Sequence, residues 1–456
     1  MDIDRDLLLS LLEKKDIKAL RPMIVAMNAA DIALFLQEVE ERDLPLVFRL
    51  LPKDLAAETF VEMDSDLQEH LITTFSDREL KIIIDELFLD DTVDIIEEMP
   101  ANVVRRILNQ SDPATRAAIN EILKYPEDSA GSLMTIEYVS LKQDMTVRDA
   151  FAKIRATGVD KETIYTCYVT DEKESLIGMI SVRTLLLNDY ETRISDIMET
   201  NVIYIDTLTD KEEVANQFNK YNFLAMPVVD KETRLVGIIT VDDAMDVITE
   251  EATEDISKIS AVMPSEKPYL KTSIWRLWLN RAPWLLVLML SATVTGIIIT
   301  KYESALAVSI TLTACIPMLT GTGGNAGGQA SATVIRGIAL NEIEFSDIFR
   351  VVWKEIRLSV LLGVTLATAC FGKLMAVDQL YKAENGYLIA AIICVTMVVT
   401  IAIAKFVGSI LPLVAKKLRL DPAVVASPFI STIVDALSLM VYCNIAIAIL
   451  RPLGVM

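Results

Sequence analysis

The first part of the chain repeats short apolar patterns at helical spacing. Apolar residues recur at intervals of three and four after four aspartates, Asp31, Asp54, Asp77 and Asp91. This pattern predicts a series of helices, each capped at its N-terminus by one of these aspartates. The first two intervals between these starts are 23 residues and the last is shorter, so residues 1–127 are predicted to form a small helical superhelix in which each unit packs on its neighbours.

Residues 128–256 change to short β-branched runs that alternate with helical segments. The run SLIGMISVRTLL, which begins at Ser175, matches RLVGIITVDDAM, which begins at Arg234. The helical patterns that follow Thr146 and Asp210 match each other in the same way. Strands that alternate with helices and are repeated once predict two α/β units, 128–195 and 196–256. The duplicated pattern resembles a tandem CBS pair, a regulatory module that often senses adenine nucleotides or ions.

The second α/β unit ends in the strongly acidic segment VDDAMDVITEEATEDI, residues 241–256. Two series in it are spaced four residues apart: Asp242, Asp246, Glu250 and Glu254, and then Asp243, Val247, Glu251 and Asp255, in which only Val247 is not acidic. Like charges one helical turn apart repel each other by a few tenths of a kcal/mol per pair. The segment is therefore either a solvated helix face or a surface that binds cations.

Five apolar spans follow in the second half of the chain. They cover residues 283–300, 305–339, 356–377, 387–414 and 423–450, and each reaches the length of about 18 residues expected of a membrane helix. The segment before them, 257–281, places Trp275 and Trp278 beside Arg276, which is typical of an amphipathic connecting helix at a membrane surface. The connections 336–357 and 416–419 are the more basic ones, so the positive-inside rule puts them and the N-terminal half in the cytoplasm.

The second span contains the polar, glycine-rich stretch PMLTGTGGNAGGQASATVIRG, residues 317–337. Two interpretations are open: a surface where helices pack closely, or an irregular polar backbone that lines a conduction path. Asp435, in the middle of the last span, favours the conduction path, since a charge inside a membrane is costly and usually functional. The alternative for Asp435 is an ion pair with Lys405 of the fourth span.

Charge and composition narrow the possible functions. The chain has 43 basic and 64 acidic residues, a net charge of −21, and the acidic excess lies in the first half. This excludes a nucleic-acid binder, which needs basic patches, and suits a protein that binds cations. One histidine and five dispersed cysteines do not suggest a zinc site or disulfides, whereas carboxylates suit Mg²⁺ or Ca²⁺. The N-terminus is not typical of a signal peptide, and we find no catalytic motif that indicates an enzyme.

Four motifs together resemble the MgtE family of magnesium channels over essentially the whole chain. They are YPEDSAGSLM at 125–134, VDDAMDV with EEATEDI at 241–256, the glycine-rich stretch, and DPAVV followed by STIVDALS in the last span. The resemblance implies a multidomain protein with α, α/β and membrane α parts. Its domains are a helical superhelix (1–127), a tandem CBS pair (128–195 and 196–256), a connecting or plug helix (257–281) and a transmembrane domain of five helices (282–456).

The resemblance also implies a homodimer in the plasma membrane, with its N-terminal domains in the cytoplasm and a pore between the two membrane halves. Asp435 matches the carboxylate that holds hydrated Mg²⁺ in the pore. Further Mg²⁺-binding positions implied by the family are Asp421, Glu58, Asp90, Asp94, Glu212, Asp243, Asp246, Glu251, Glu254 and Asp255. Internal Mg²⁺ bound to the cytosolic acids would close the pore, because the ion bridges carboxylates that otherwise repel each other.

The pore lining implied by the family consists of Gly324, Asn325, Gln329, Ser427 and Lys405. Lys405 departs from the family pattern, which has a neutral residue at this position. In the CBS pair, Phe223 is expected to stack on the adenine of ATP and Arg183 to meet its phosphates.

Two other functions remain open from the sequence. One is a secondary transporter that exchanges a divalent ion for Na⁺ or H⁺, which a Lys405–Asp435 pair would favour. The other is a membrane-anchored CBS sensor that transports nothing.

Overall fold

The computed structural model describes residues 5–265, 269–270, 272–340, 342–383, 385–424 and 427–453, without the side chains of residues 160, 305 and 427. The chain divides into two compact units, Met1–Ile248 and Thr249–Met456.

The first unit begins with helices that share one apolar core. They are α1 (Arg5–Glu13), α2 (Ile17–Val25), α3 (Ala29–Leu36), α4 (Leu44–Phe48), α5 (Lys53–Val61), α6 (Ser65–Thr74), α7 (Asp77–Ile84), α8 (Leu89–Glu98), α9 (Ala101–Gln110) and α10 (Pro113–Ile122). Leu20, Phe35, Leu71 and Val93 are fully buried in this core. The predicted helical character of this region is confirmed, with more helices than the four that the sequence pattern indicated.

The predicted aspartate caps of these helices are wrong. Asp31, Asp54, Asp77 and Asp91 lie inside the first turns of α3, α5, α7 and α8. Ser76 caps α7 instead, and its hydroxyl accepts a hydrogen bond from the backbone N–H of Glu79. Aspartates in a first turn still stabilise the helix because they face the positive end of its dipole. The acidic residues therefore indicated where the helices start, to within a few residues.

The two predicted α/β units are confirmed, and they share one plan. The first contains β1 (Ser140–Lys142), α11 (Val147–Thr157), β2 (Thr166–Thr170), β3 (Leu176–Ser181), α12 (Val182–Leu187) and α13 (Ile194–Ile197). The second contains β4 (Ile205–Asp206), α14 (Lys211–Tyr221), β5 (Ala225–Val229), β6 (Leu235–Thr240) and α15 (Val241–Ile259). In each sheet the first two strands are parallel and the last two antiparallel, with an irregularity near the end of the middle strand.

The second unit contains the long apolar helices. They are α16 (Ile274–Lys301), α19 (Ile316–Ala339), α20 (Ile348–Ala376), α21 (Gly386–Lys417) and α22 (Ser427–Leu450), with the short α17 (Glu303–Leu306) and α18 (Ile310–Ala314) before α19. In the described residues, four helical segments are long and apolar enough to cross a membrane, and they correspond to α16, α20, α21 and α22. The glycine-rich α19 is the fifth long helix of the predicted membrane domain, and its glycines and polar residues make it less apolar than the others.

The connecting helix predicted for residues 257–281 is not a separate helix in the described part of this segment. Helix α15 ends at Ile259, and Ala261 follows with a left-handed φ of 53°. Helix α16 begins after Ser273, whose hydroxyl accepts a hydrogen bond from the N–H of Arg276, and it continues directly into the first span. Residues 266–268 and 271 of the predicted helix lie outside the described residues.

The glycine-rich stretch is a continuous helix, so the irregular backbone predicted for it is wrong. Glycine allows α19 to approach α21 and α22 closely. A Cβ atom on Gly408 of α21 would lie 2.3 Å from the carbonyl oxygen of Gly327 in α19. A Cβ on Gly323 would lie 2.7 Å from the Thr400 methyl group. Close helix packing therefore explains the buried glycines but not the polar residues of the stretch.

Candidate cation-binding sites

Asp435 lies in the apolar helix α22 and is half-buried. Among the described residues no cation and no hydrogen-bond donor is paired with its carboxylate. Ser431 precedes Asp435 by one helical turn, so the two side chains project from neighbouring positions on one face of the helix. The Ser431 hydroxyl lies 3.2 Å from the position of a Cβ on Gly324. The Asp435 carboxylate is thus an uncompensated charge close to the glycine-rich helix.

Helix α19 carries a polar stripe, Asn325, Gln329, Thr333 and Arg336, whose members are all exposed on this unit. Their spacing of three and four residues places them on one helix face. Gly324 and Lys405 are buried within the unit instead. The predicted pore-lining residue Ser427 begins α22, but its side chain lies outside the described residues. Of the five predicted pore-lining positions, Asn325 and Gln329 therefore present side chains on an exposed face.

Lys405 is paired with Glu355 of α20, so the alternative that pairs it with Asp435 is wrong for the described residues. Its Nζ atom lies 3.4 Å from Glu355 Oε2, and the two side chains are 4% and 11% exposed. A buried charge is tolerated when an opposite charge compensates it. Glu355 therefore neutralises the charge of Lys405, and Asp435 remains free to attract a cation.

A carboxylate cluster lies in the first unit, where α8, the segment before β1, the loop after α11 and the start of α15 meet. We define it as Asp90, Asp91, Glu137, Glu162 and Asp243. One oxygen from each of Asp90, Glu137 and Glu162 lies within 4.8 Å of the others. Glu137 Oε2 accepts a hydrogen bond of 3.1 Å from the N–H of Leu89. This bond holds Glu137 at the start of α8, so acids from distant parts of the chain lie close together.

Asp243 and Glu162 differ in how their carboxylate oxygens are hydrogen-bonded. Asp243 Oδ2 accepts a hydrogen bond of 2.6 Å from the Thr240 hydroxyl at the start of α15. Asp90 is only 6% exposed. Glu162 Oε2 is buried and has no hydrogen-bond partner among the described residues. Burying a carboxylate oxygen without a partner costs free energy. Glu162 Oε2 is therefore available as a ligand for a cation.

Burial and mutual repulsion make the carboxylate cluster hard to ionise. Burial raises the pKa of Asp90 well above its usual range, and the charge of Asp243 raises it further. Burial also raises the pKa of Asp91 to about 7 and that of Glu162 to about 8, again with help from neighbouring acids. For Asp243, burial raises the pKa to about 6. A hard divalent cation would restore full ionisation, and oxygen ligands are the ones that Mg²⁺ and Ca²⁺ prefer.

A second acidic group lies in the second unit, around Lys258 near the end of α15. The Lys258 ammonium lies 2.7 Å from Glu254 Oε1 and 2.7 Å from Asp421 Oδ2. Burial disfavours the Lys258 charge, but these bonds raise its pKa above the ordinary value. Asp255 is beside them; burial raises its pKa, as does the charge of Asp421. An ammonium group thus occupies a position between carboxylates where a metal ion is predicted.

The other predicted metal-binding residues are more open to solvent. Glu58, Asp94, Glu212 and Asp246 are exposed, and Glu251 is half-buried. Burial raises the pKa of Asp246, and the charge of Asp242 raises it further. Sequence reasoning missed Glu137 and Glu162, which complete the buried cluster. Glu137 is a single acid between Ile136 and Tyr138, which is a weak local signal, whereas Glu162 lies between Lys161 and Thr163 and has no such signal.

The predicted nucleotide-binding residues lie on separate elements of the α/β units. Phe223 follows α14, and its ring stacks on Tyr221 with the centroids 5.6 Å apart. Arg183 is exposed on α12. Thr184, next to it, is engaged by Ser181, which accepts a hydrogen bond of 3.1 Å from the Thr184 N–H. In the described part of the chain, Phe223 and Arg183 do not interact with each other. The Phe223 ring and the Arg183 guanidinium would therefore contact a ligand independently.

The chain is similar to proteins of one family over almost all its length. The family described as a divalent cation transporter, MgtE, matches residues 316–445; the MgtE intracellular N domain matches 27–128, and CBS domains match 130–190 and 194–250. The magnesium transporter MgtE of Thermus thermophilus is 37% identical and that of Bacillus subtilis 32% identical, with 95% and 97% of this chain and 96% of each relative covered. A crystal structure of the cytosolic domain of the Mg²⁺ channel MgtE in complex with ATP is 39% identical, with a TM-score of 0.51, and covers 54% of this chain and 100% of that one.

Proposed function

Because the chain belongs to the MgtE family of divalent cation transporters, we propose that it conducts Mg²⁺ across a membrane through a path at Asp435. The observation that carries this proposal is the half-buried carboxylate of Asp435 in an apolar helix, with no compensating cation among the described residues. Lys405, which would otherwise oppose cation entry, is neutralised by Glu355. A carboxylate at membrane depth attracts a cation that passes by.

The ligands fit an ion that keeps its water. Mg²⁺ sheds water slowly and is usually held by one or two carboxylates through its hydration shell. Asp435 supplies the charge, and Asn325 and Gln329 supply neutral amide oxygens on the exposed face of α19. A dehydrated ion would need a closer ring of oxygens. The proposed cargo is therefore hydrated Mg²⁺.

The proposed path lies between two copies of the chain. The polar stripe on α19 is exposed on a single unit whose other long helices are apolar. Polar side chains at membrane depth usually face a watery cavity or protein rather than lipid. A homodimer in the plasma membrane, with the acidic N-terminal half in the cytoplasm, would provide such a cavity. The proposal includes the domain limits predicted from the sequence: 1–127, 128–195, 196–256, 257–281 and 282–456.

We further propose that cytosolic Mg²⁺ regulates the path. The carboxylate cluster would hold the ion through Asp90, Glu137 and Glu162, and Asp243 would add to the negative field. Glu254, Asp255 and Asp421 form the other proposed position, within the second unit. Glu58, Asp94, Glu212, Asp246 and Glu251, most of which are more exposed, are further proposed Mg²⁺ ligands. A bound ion removes the repulsion between these acids and so favours the arrangement in which they are close.

ATP is a second proposed ligand, at the CBS pair. One solved relative is described as the cytosolic domain of the Mg²⁺ channel MgtE in complex with ATP. In this chain Phe223 would stack on the adenine, and Arg183 would meet the phosphates. The stacked Tyr221 ring supports the position of Phe223.

The test is Mg²⁺ uptake into liposomes that contain wild-type protein, Asp435→Asn or the control Asp378→Asn. Asp378 is a carboxylate of the same unit that is already paired with Lys373 at 2.7 Å. We expect uptake to be lost in Asp435→Asn, retained in the control and independent of Na⁺ and pH gradients. Uptake that follows either gradient would mean an exchanger. Equal uptake by both variants would overturn the role of Asp435, and no uptake by the wild type would favour a sensor.

A further inference from the structure

Sulfur-containing side chains from separate helices meet in the second unit, although they are far apart in sequence. The Sγ atom of Cys370 in α20 lies 4.0 Å from the Sδ atom of Met318 in α19. The Cys370 thiol also interacts with the thiol of Cys394 in α21. Cys315, immediately before α19, is close enough to interact electrostatically with both thiols. We define Cys315, Met318, Cys370 and Cys394 as the sulfur cluster.

Two of the three cysteines of the cluster are buried, and the third is partly exposed. Cys315 and Cys370 are 3% and 6% exposed, and Cys394 is half-buried. Its thiol donates a hydrogen bond of 3.4 Å to the carbonyl of Ala367. The cluster is close to the end of the unit where α20 and α21 are joined. There the half-exposed Lys373 reaches Asp378, and its charge also acts on Cys315 and Cys370.

The donor set selects a different class of ion from Mg²⁺. Thiolate and thioether sulfurs prefer soft ions such as Cu⁺ and Ag⁺, whereas Mg²⁺ requires oxygen. Two metal–sulfur bonds of about 2.3 Å, the length known for zinc thiolates, span roughly 4.0 Å in a trigonal site. This equals the observed Cys370–Met318 separation. We propose that the sulfur cluster is a binding site for a soft monovalent metal ion, held by Cys370, Cys394 and Met318 with Cys315 as a further donor.

The chemistry balances without any other reactant. When a thiol binds the ion, its proton leaves to solvent and a metal–sulfur bond replaces the S–H bond, with no change in oxidation state. Two thiolates and one monovalent ion carry a net charge of −1, and the Lys373 ammonium acts on Cys315 and Cys370 although it is paired with Asp378. The described cysteines are free thiols, so this step needs no reduction. An ion bound there would join α19, α20 and α21.

The probe is Ag⁺, titrated into reduced, full-length protein in detergent, with X-ray absorption at the silver edge to count bound sulfurs. We compare wild type with Cys370→Ser/Cys394→Ser. The control is Cys443→Ser, which removes another fully buried thiol from the same unit. The paired variant should weaken binding by more than about a hundredfold, since the loss of even an outer-shell partner costs roughly 10- to 100-fold. The control should bind like wild type.

Met318→Leu provides a second test that preserves volume and all thiols. It should bind Ag⁺ with one sulfur neighbour fewer than wild type. Silver bound to a single sulfur in the wild-type protein, or affinity unchanged in Cys370→Ser/Cys394→Ser, would overturn the proposal. A paired variant that fails to fold would leave the decision to Met318→Leu, where an unchanged sulfur count would exclude the Met318-containing site.

Discussion

The ammonium of Lys405 lies 3.4 Å from the Oε2 atom of Glu355, and both side chains are almost completely buried. The pair joins α20 to α21 in the membrane unit. It is close enough for electrostatic attraction, yet Glu355 Oε2 has no hydrogen bond within the described structure. The two charges therefore compensate each other and contribute no net charge near the proposed ion path.

This pairing predicts an asymmetric response to mutation. Glu355→Gln would leave the Lys405 charge buried and unpaired, which typically costs about 3–5 kcal/mol. We expect a large loss of thermal stability in detergent and lower Mg²⁺ uptake. Glu355→Gln/Lys405→Met removes both charges and should recover most of both properties. A double variant as unstable as Glu355→Gln would show that the pair has another structural role.

The crossing of α19 and α21 predicts that the need for glycine depends on position. In Gly408→Ala the new Cβ would lie 2.3 Å from the Gly327 carbonyl oxygen, so the helices must separate. Overpacking of this kind costs about 1–3 kcal/mol. In Gly372→Ala the Cβ would meet nothing within 4 Å, and alanine favours the helix. Thermal unfolding should show Gly408→Ala destabilised and Gly372→Ala unchanged or stabilised; equal effects would contradict the close crossing.

The raised pKa values of the carboxylate cluster predict how stability changes with pH. The pKa of Glu162 is about 8 and that of Asp91 about 7 in the folded chain, against about 4 when unfolded. Folding therefore takes up protons between these values, so the Mg²⁺-free protein should become less stable as pH rises from about 5 to 8. Melting temperatures measured along this series provide the test.

The same groups should release protons when Mg²⁺ binds at pH 7. Titration calorimetry in two buffers with different ionisation enthalpies measures this release. Glu162→Gln removes one of the titrating groups and a proposed ligand, so it should release fewer protons and bind the ion more weakly. A melting temperature independent of pH, or a binding heat independent of the buffer, would argue against the cluster as the ion site.

The Lys258 bridge predicts competition between an ammonium group and a divalent ion. Lys258 donates to both Glu254 and Asp421 at 2.7 Å, and an ion that binds these acids must displace it. A hydrogen bond to a charged group contributes about 1.5 kcal/mol or more, so Lys258→Met should tighten Mg²⁺ binding by about tenfold. The exposed Lys416→Met serves as the charge-matched control. Weaker binding in Lys258→Met would mean that the lysine supports this site instead of competing for it.

Local sequence patterns identified most of the elements because their signals depend on near neighbours. The three-to-four spacing of apolar residues indicated the N-terminal helices, and the β-branched runs at 176–181 and 235–240 became β3 and β6. The duplicated α/β plan was visible because both copies satisfy the same periodicity. The exact helix caps were not visible in the sequence, since Ser76 and other residues compete with nearby aspartates for the same backbone N–H groups.

By itself, the sequence determined the order of helical, α/β and apolar parts, the acidic character of the first half and the unusual Asp435. Only the tertiary structure decided which distant residues meet. It paired Lys405 with Glu355, brought Glu137 and Glu162 to Asp90, and kept the glycine-rich stretch helical. It also gathered cysteines whose spacing had suggested no metal site. Periodicity records which face of an element is buried, whereas these contacts depend on how separate elements pack, and packing partners leave no signal in local spacing.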